Sequence, residues 1–163
     1  FNEKKDLVDN LSSIIKSKDL LKGIKQLIID NKSLEKQILV FKKENADNLS
    51  EKLLELAIDI NGIRFISKEL DTHPSEMKNI SFALRKEEKV VMVLGASDEK
   101  KAFLSVMVTD DLVATGLNAV TIINNIAQEI EGGGGGQSFF ATAGGSNKEG
   151  VKSALSKAKS LIK

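Results

Sequence analysis

Several residue types are missing or rare in this sequence, and each absence excludes a class of site or of protein. There is no cysteine, so a disulfide framework or a thiolate metal site is excluded, and a cytoplasmic setting is expected. A single histidine, His73, stands beside the only proline, Pro74, and is predicted to be an exposed turn residue because one imidazole does not build a metal site. No run approaches the roughly 18 apolar residues of a membrane span, so no membrane partner is expected.

The overall composition of the chain is moderately apolar and highly charged. Its 163 residues are 41% hydrophobic and 29% charged, which suits one globular domain or a small domain with a helical appendage. Because it starts at Phe1 rather than methionine, we expect a piece of a longer polypeptide. The net charge of +1 says little, but lysines dominate after Glu131, where a basic helix can approach phosphates or simply form a solvated face.

Residues 1–60 have the composition of a helical arm, rich in lysine, glutamate and leucine. A short helix, a break near Ser17–Asp19 and a much longer helix are predicted, with Ser17 or Asp19 as the cap of the second helix. From Leu20 the apolar residues repeat with the 4-3 spacing of a coiled-coil seam. The predicted dimerisation residues are Ile24, Leu27, Asn31, Leu34, Ile38 and Phe41. Packing of this seam against another helix of the same chain is the alternative.

Residues 61–163 alternate between strand and helix patterns. Strands are predicted at 63–70, at 90–95 and at 102–109, with the last two forming an antiparallel hairpin. Helices are predicted from Pro74 to about Lys89, from Asn118 to Gly132, and after a capping box of Ser146 and Glu149; the last helix should bury Val151, Leu155, Ala158 and Ile162. The predicted class is α/β (α+β): a long helical or coiled-coil arm followed by a small mixed-sheet globular domain.

The most unusual segment is the run of five glycines, Gly132–Gly136, followed by a predicted strand over 138–143. We expect a loop whose backbone N–H groups form an anion nest, with a flexible surface loop as the alternative. The order is helix, glycines, strand. Phosphate-binding loops of nucleotide-binding folds run strand, glycines, helix, so such a fold is not expected.

This glycine segment resembles the DHHA1 domain, which occurs at the C-terminus of alanyl-tRNA synthetases and in DHH-family phosphoesterases. The matching residues are Gly132–Gly136, Phe139, Phe140, Ala143–Gly145 and the helix after them. Further segments are similar to the synthetase version, namely Asn61–Ile63, Leu84–Arg85, Val91–Gly95, Val106–Asp111 and Gly116–Ala119. With the helical arm ahead of them, the resemblance covers essentially the whole chain.

The resemblance implies a non-catalytic module of alanine–tRNA ligase that binds the elbow of tRNA(Ala), supports dimerisation, and assists the catalytic and editing domains of the same polypeptide. The expected RNA-binding residues are Gly132, Gly133, Gly134, Gly135, Gly136, Gln137, Phe139, Gly144, Gly145, Lys148 and Lys152. One of Phe139 and Phe140 should be buried while the other meets a base, and the two lysines should lie near the glycines. No catalytic residue, metal or cofactor is expected in this chain; ATP, zinc and magnesium would serve the other domains.

Two alternatives come from other classes. One is the substrate-binding DHHA1 domain of a nanoRNA phosphoesterase, but that form typically has a histidine directly after its glycines, where this chain has Gln137. The other is a coiled-coil scaffold with a passive globular cap. The Asp110–Asp111 pair is predicted to mark the start of a helix, where the helix dipole favours acidic residues, rather than a metal site.

Overall fold

A computed structural model describes residues 2–162 of the chain. They divide into two compact units, one ending at Lys42 and one beginning at Lys43. The helices are α1 Asn2–Ile15, α2 Leu20–Glu55, α3 Pro74–Ala83, α4 Asp110–Ala114, α5 Ala119–Ile126 and α6 Gly150–Leu161, with a 3₁₀ helix at Ala127–Ile130. The strands are β1 Ile58–Ile60, β2 Ile63–Glu69, β3 Val90–Ser97, β4 Ala102–Val108, β5 Gly132–Gln137 and β6 Phe140–Gly145.

The first two helices confirm the predicted short helix, break and long helix. α2 runs for 36 residues without proline. Asp19 is its cap, because the backbone N–H of Lys22 donates to Asp19 Oδ1 at 3.0 Å. No residue of α1 is buried, and α2 buries side chains only near its C-terminal end, so the rest of α2 leaves an apolar stripe exposed.

The second unit contains one six-stranded sheet in the order β1-β2-β3-β4-β6-β5. All neighbouring pairs are antiparallel except β2 and β3, which are parallel and joined through α3. The mixed sheet and the antiparallel β3–β4 hairpin are therefore confirmed. β1 and β5 form the two edges.

The core lies on both faces of the sheet, as the continuous apolar run of β3 indicates. Val91 and Val93 face one cluster, which includes the buried sides of α5 and α6, while Met92 and Leu94 face the other, with α3. The predicted buried face of the last helix is confirmed: Val151, Leu155, Ala158 and Ile162 all lie in the first cluster.

Several predicted boundaries are wrong. Asn61 and Gly62, at the predicted start of the globular region, both have positive φ angles and form the turn of the β1–β2 hairpin. The first strand of this hairpin was not predicted. α3 ends at Ala83 rather than near Lys89, and α5 gives way to a 3₁₀ helix before Gly132. The left-handed residue that ends this 3₁₀ helix is Glu131, with φ of 50°, not a glycine.

The predicted capping box is also wrong. Glu149 precedes α6 without a side-chain capping bond, and the Ser146 hydroxyl lies 3.3 Å from Glu131 Oε2, to which it donates. The strand expected over 138–143 begins later, at Phe140, because Ser138 and Phe139 form the turn between β5 and β6.

The glycine run is not a loop but the edge strand β5, paired with β6 from Gly132 opposite Gly145 to Gln137 opposite Phe140. A Cβ atom at Gly132, Gly134 or Gly136 would overlap backbone oxygen atoms of β6, whereas Gly133 and Gly135 have no atom within 4 Å of that position. The absence of side chains at alternate positions therefore permits this close pairing, and the other two glycines lie on an open face.

This alternation predicts opposite effects for neighbouring substitutions. Gly134→Ala is expected to lower the free energy of unfolding by about 1–3 kcal/mol, as overpacking does. Gly135→Ala, which places the same methyl group in open space, should change it by less than about 0.5 kcal/mol. Urea denaturation followed by circular dichroism measures both. Equal stability of the two variants would contradict the observed register of β5.

Candidate nucleic-acid interface

The structure brings most of the predicted RNA-binding residues together at one edge of the sheet. β5 supplies the five glycines and Gln137, and β6 supplies Gly144 and Gly145, which pair with Gly133 and Gly132. α5 packs against both strands. Helix α5 belongs to the cluster that contains Ala141 and Ala143, so it lies on the side of the sheet to which Gly132, Gly134 and Gly136 also point.

The opposite face of this edge is open, and we call it the glycine face. It consists of Gly133, Gly135 and Gln137 of β5 with Thr142 and Gly144 of β6, all of them exposed. These residues share a side of the sheet because paired residues point the same way and alternate residues point the opposite way. Since little side chain stands above the backbone here, a flat ligand can approach the main chain closely.

An aromatic and cationic cluster lies at the turn end of the glycine face. Phe140 packs edge-on against Phe82, with ring centres 5.0 Å apart, and Phe139 lies 6.2 Å from the same ring. The guanidinium of Arg85 sits 3.9 Å from the centre of the Phe139 ring, a cation–π contact. The expectation that one phenylalanine is buried is wrong: both are half-buried, because Phe139 belongs to the turn instead of alternating with Phe140 in a strand.

Arg85 and Lys78 were not among the predicted RNA-binding residues. Lys78 lies 5.3 Å from the centre of the Phe82 ring. The spacing of Lys78, Phe82 and Arg85 by four and three residues was the available signal, because it places them on one side of the helix predicted to about Lys89. The spacing does not indicate that the β5–β6 turn packs against Phe82 and Arg85.

Lys148 and Lys152 do not lie beside the glycines, contrary to expectation. The Lys148 ammonium donates to the backbone oxygen of Glu99 at 2.8 Å, in the turn between β3 and β4. Lys152 lines a groove with residues of β1 and β2. In the sheet β4 and β5 flank β6 on opposite sides, so these lysine contacts are made away from the β5 edge.

The turn beside Lys148 is held by Asp98, whose Oδ1 accepts the N–H groups of Lys100 and Lys101, both at 2.7 Å. These backbone hydrogen bonds, with smaller contributions from Lys101 and Lys148, hold the pKa of Asp98 below its usual value. Lys148 thus contributes to a local hydrogen-bonded turn.

The acidic pair occupies the first turn of α4, as predicted. Asp110 Oδ1 lies 3.4 Å from Arg85 Nη2. Asp111 Oδ2 accepts the N–H of Lys89 at 2.9 Å. Partial burial raises the pKa of Asp111, but hydrogen bonds from Thr109 and from backbone N–H groups outweigh it, and the net pKa lies below the usual value. This carboxylate therefore links α4 to the start of β3.

His73 is exposed and caps α3, with its Nδ1 accepting the N–H of Ser75 at 3.3 Å. Within residues 2–162, no group of three His, Cys, Asp or Glu side chains is arranged to hold a metal ion. In the same range no helix is long and apolar enough to cross a bilayer.

The predicted dimerisation residues follow one another along α2. Their apolar members are between 44% and 63% exposed in the single chain: Ile24, Leu27, Leu34, Ile38 and Phe41. Asn31 is exposed as well.

Comparison with known proteins agrees with this architecture. Residues 62–163 match the DHHA1 domain. The alanine–tRNA ligase of Christiangramia forsetii is 39% identical over 166 residues, covering 100% of this chain and 19% of the relative. That of Bacteroides fragilis is 43% identical over 141 residues, covering 85% of this chain and 16% of the relative. The chain thus spans less than a fifth of the curated relatives it matches.

Among solved structures, the C-Ala domain of Aquifex aeolicus alanyl-tRNA synthetase has the same fold. The TM-score is 0.60 at 20% identity, and the match covers 65% of this chain and 96% of that one. The chain belongs to the DHHA1 domain family. Its predicted resemblance to alanyl-tRNA synthetases is likewise confirmed.

The role of Asp111 predicts a pH dependence of stability. Because its pKa is lower in the folded chain, its contribution is fully present above the unfolded value of about 3.9 and is lost as the pH falls through the folded value. Asp111→Asn should therefore lower stability at pH 7 and flatten the loss of stability below about pH 4. Urea denaturation between pH 2 and 7 measures this, with Asp71→Asn as an exposed carboxylate control. A variant with an unchanged pH profile would refute the assigned role.

Proposed function

We propose that this chain is the non-catalytic C-terminal module of an alanine–tRNA ligase, which binds the elbow of tRNA(Ala) and assembles the enzyme as a dimer. The observation that carries the proposal is the similarity to alanine–tRNA ligases along the full length of the chain, including the helical segment ahead of the DHHA1 domain. The similarity of its fold to the C-Ala domain of Aquifex aeolicus alanyl-tRNA synthetase supports it. The module would assist aminoacylation and editing by domains outside this chain.

The glycine face and the Arg85–Phe139 pair are the proposed RNA surface. A tRNA elbow presents backbone and splayed loop bases, which proteins recognise by shape, stacking and contacts to phosphate and ribose. The glycine face offers close approach to the main chain, and Gln137 adds an amide at its turn end. Beside it, Arg85 and Phe139 supply a cationic and an aromatic plane of the kind on which bases stack.

Compared with the residues expected from sequence, this surface keeps Gly133, Gly135, Gln137, Phe139 and Gly144 and adds Arg85. Lys148 and Lys152 would contact RNA only if the RNA also reached a second surface, away from the β5 edge. ATP, zinc and magnesium are proposed only for the remainder of the enzyme, and a cytoplasmic location is proposed with it.

The RNA surface is testable without disturbing the fold, because Gly135 faces open space. Gly135→Glu places a negative side chain on the glycine face and should weaken tRNA binding at least about tenfold, while Gly135→Ala keeps most of the affinity. Fluorescence anisotropy with folded tRNA and with an RNA duplex of equal length, each titrated with salt, measures the effect.

Preference for tRNA that weakens with salt is expected for phosphate and elbow contacts. Equal binding of tRNA by the Gly135→Glu and Gly135→Ala variants, with both folded, would show that the glycine face is not the RNA surface. A tight dimer without any RNA affinity would favour the scaffold alternative.

Dimerisation through α2 is proposed on its exposed 4-3 seam. Leu34→Glu places a charge in the seam and should convert a dimer to a monomer, since a buried carboxylate without a partner is costly. Ser33→Glu, also exposed on α2 but outside the seam and the positions that flank it, is the matched control and should leave the dimer intact. Sedimentation equilibrium measures both. A wild-type chain that is monomeric at tens of micromolar, or a dimer unaffected by Leu34→Glu, would contradict this seam.

A further inference from the structure

A groove in the second unit is separate from the glycine face and is not used by the proposed RNA surface. It encloses about 360 Å³ between α6 and the β1–β2 edge of the sheet. Its lining residues are Leu56, Ile58, Phe65, Ser67, Lys68, Glu69, Lys152, Leu155, Ser156 and Lys159.

The apolar lining of the groove is partly open to solvent. Phe65 and Leu155 are buried core residues, but Leu56 is 65% exposed and Ile58 is 42% exposed. Large aliphatic side chains exposed in the lining of a concave surface are a feature of protein interaction sites, because covering them removes apolar area from water.

The rim of the groove is predominantly positive, with three lysines against one glutamate among its lining residues. Lys152 and Lys159 are two turns apart on α6, so both lie along the same side of the helix, with Leu155 and Ser156 between them. Both lysines are exposed.

The walls of the groove are fixed in place. The Ser67 hydroxyl donates to the backbone oxygen of Leu155 at 3.4 Å, which ties β2 to α6 at the base of the groove. α6 is anchored from its other side by Glu129, which accepts from Ser153 at 2.7 Å and from Lys157 at 2.9 Å. A groove with fixed walls needs little rearrangement to bind a ligand.

We propose that this groove binds a protein segment that carries aliphatic side chains flanked by carboxylates. The apolar lining would cover the apolar side chains, and the lysines would pair with the acidic ones. RNA fits less well, because bases stack on aromatic or arginine planes, and the groove offers neither: its cations are lysines and its one aromatic residue, Phe65, is buried.

The test uses the full chain and a synthetic probe peptide of leucines interspersed with glutamates, with a serine-for-leucine peptide as its control. The leucine peptide should bind and shift the amide resonances of Leu56, Ile58 and Lys152 in two-dimensional NMR spectra. Lys152→Glu with Lys159→Glu should weaken its binding at least about tenfold, and Leu56→Ser should weaken it severalfold. Lys36→Glu, an exposed charge change in the first unit, is the matched control and should have little effect.

Three outcomes would overturn the proposal. The first is no binding of the leucine peptide, or binding of the serine peptide with equal affinity. The second is loss of tRNA affinity in the Lys152→Glu, Lys159→Glu variant but not in Leu56→Ser, which would make the groove a phosphate-contacting RNA surface. The third is a change of oligomeric state on Leu56→Ser, which would make it an interface between copies. Failure of tRNA binding in the wild-type chain would bear on the proposed function and not on this groove.

Discussion

Close approach of backbone to backbone at the β5–β6 edge is the constraint on which the candidate site depends. Side chains at Gly132, Gly134 and Gly136 would overlap backbone oxygen atoms of β6. Two further glycines allow equally close contacts with the 3₁₀ helix. A Cβ atom at Gly145 would overlap the carbonyl oxygen of Ile130, and one at Gly150 would overlap the carbonyl oxygen of Glu129. The glycines therefore let the end of the 3₁₀ helix, the two strands and the start of α6 pack directly on one another. Their role here is close packing, with flexibility secondary.

This packing has a functional consequence on the other side of the sheet. α5 packs on one side of β5 and β6, and on the other side three glycines, Gly133, Gly135 and Gly144, leave backbone exposed. α3 ends at Ala83, and Arg85, just after it, contacts Phe139 at the turn end of this face. A surface that combines exposed backbone with a neighbouring cation–π pair suits recognition of nucleic acid by shape and stacking. The lysines that sequence reasoning placed there instead lie along α6 and near the β3–β4 turn.

The parts of the fold that could be predicted are those that depend on local patterns. The long helix, the apolar run of β3, the Asn118 cap and the buried face of α6 each follow from residues close in sequence, and the structure has them all. The Asn118 cap, for example, is a hydrogen bond of 2.8 Å from the N–H of Val120. These features need no knowledge of distant partners.

The features that were predicted wrongly or missed do not follow from local sequence patterns. Five glycines carry no side-chain alternation, so nothing in the run itself indicates a strand; only its pairing with β6 makes it one. β1 is three residues long, too short for a periodic pattern. The positions of Lys148 and Lys152 depend on the strand order, which places β4 and β5 on opposite sides of β6. The Arg85–Phe139 contact joins a helix end to a turn far along the chain, and local spacing does not reveal such a pair.

The central claim is that the glycine run forms an edge strand whose open face meets RNA. The most direct measurement is an amide NMR footprint of folded tRNA on the isotopically labelled chain. We expect shifts or broadening at the amide resonances of Gly133, Gly135, Phe139 and Arg85, with those of Leu56 and Ile58 unchanged. A footprint confined to the lysines of α6, with the glycine amides unaffected, would contradict it.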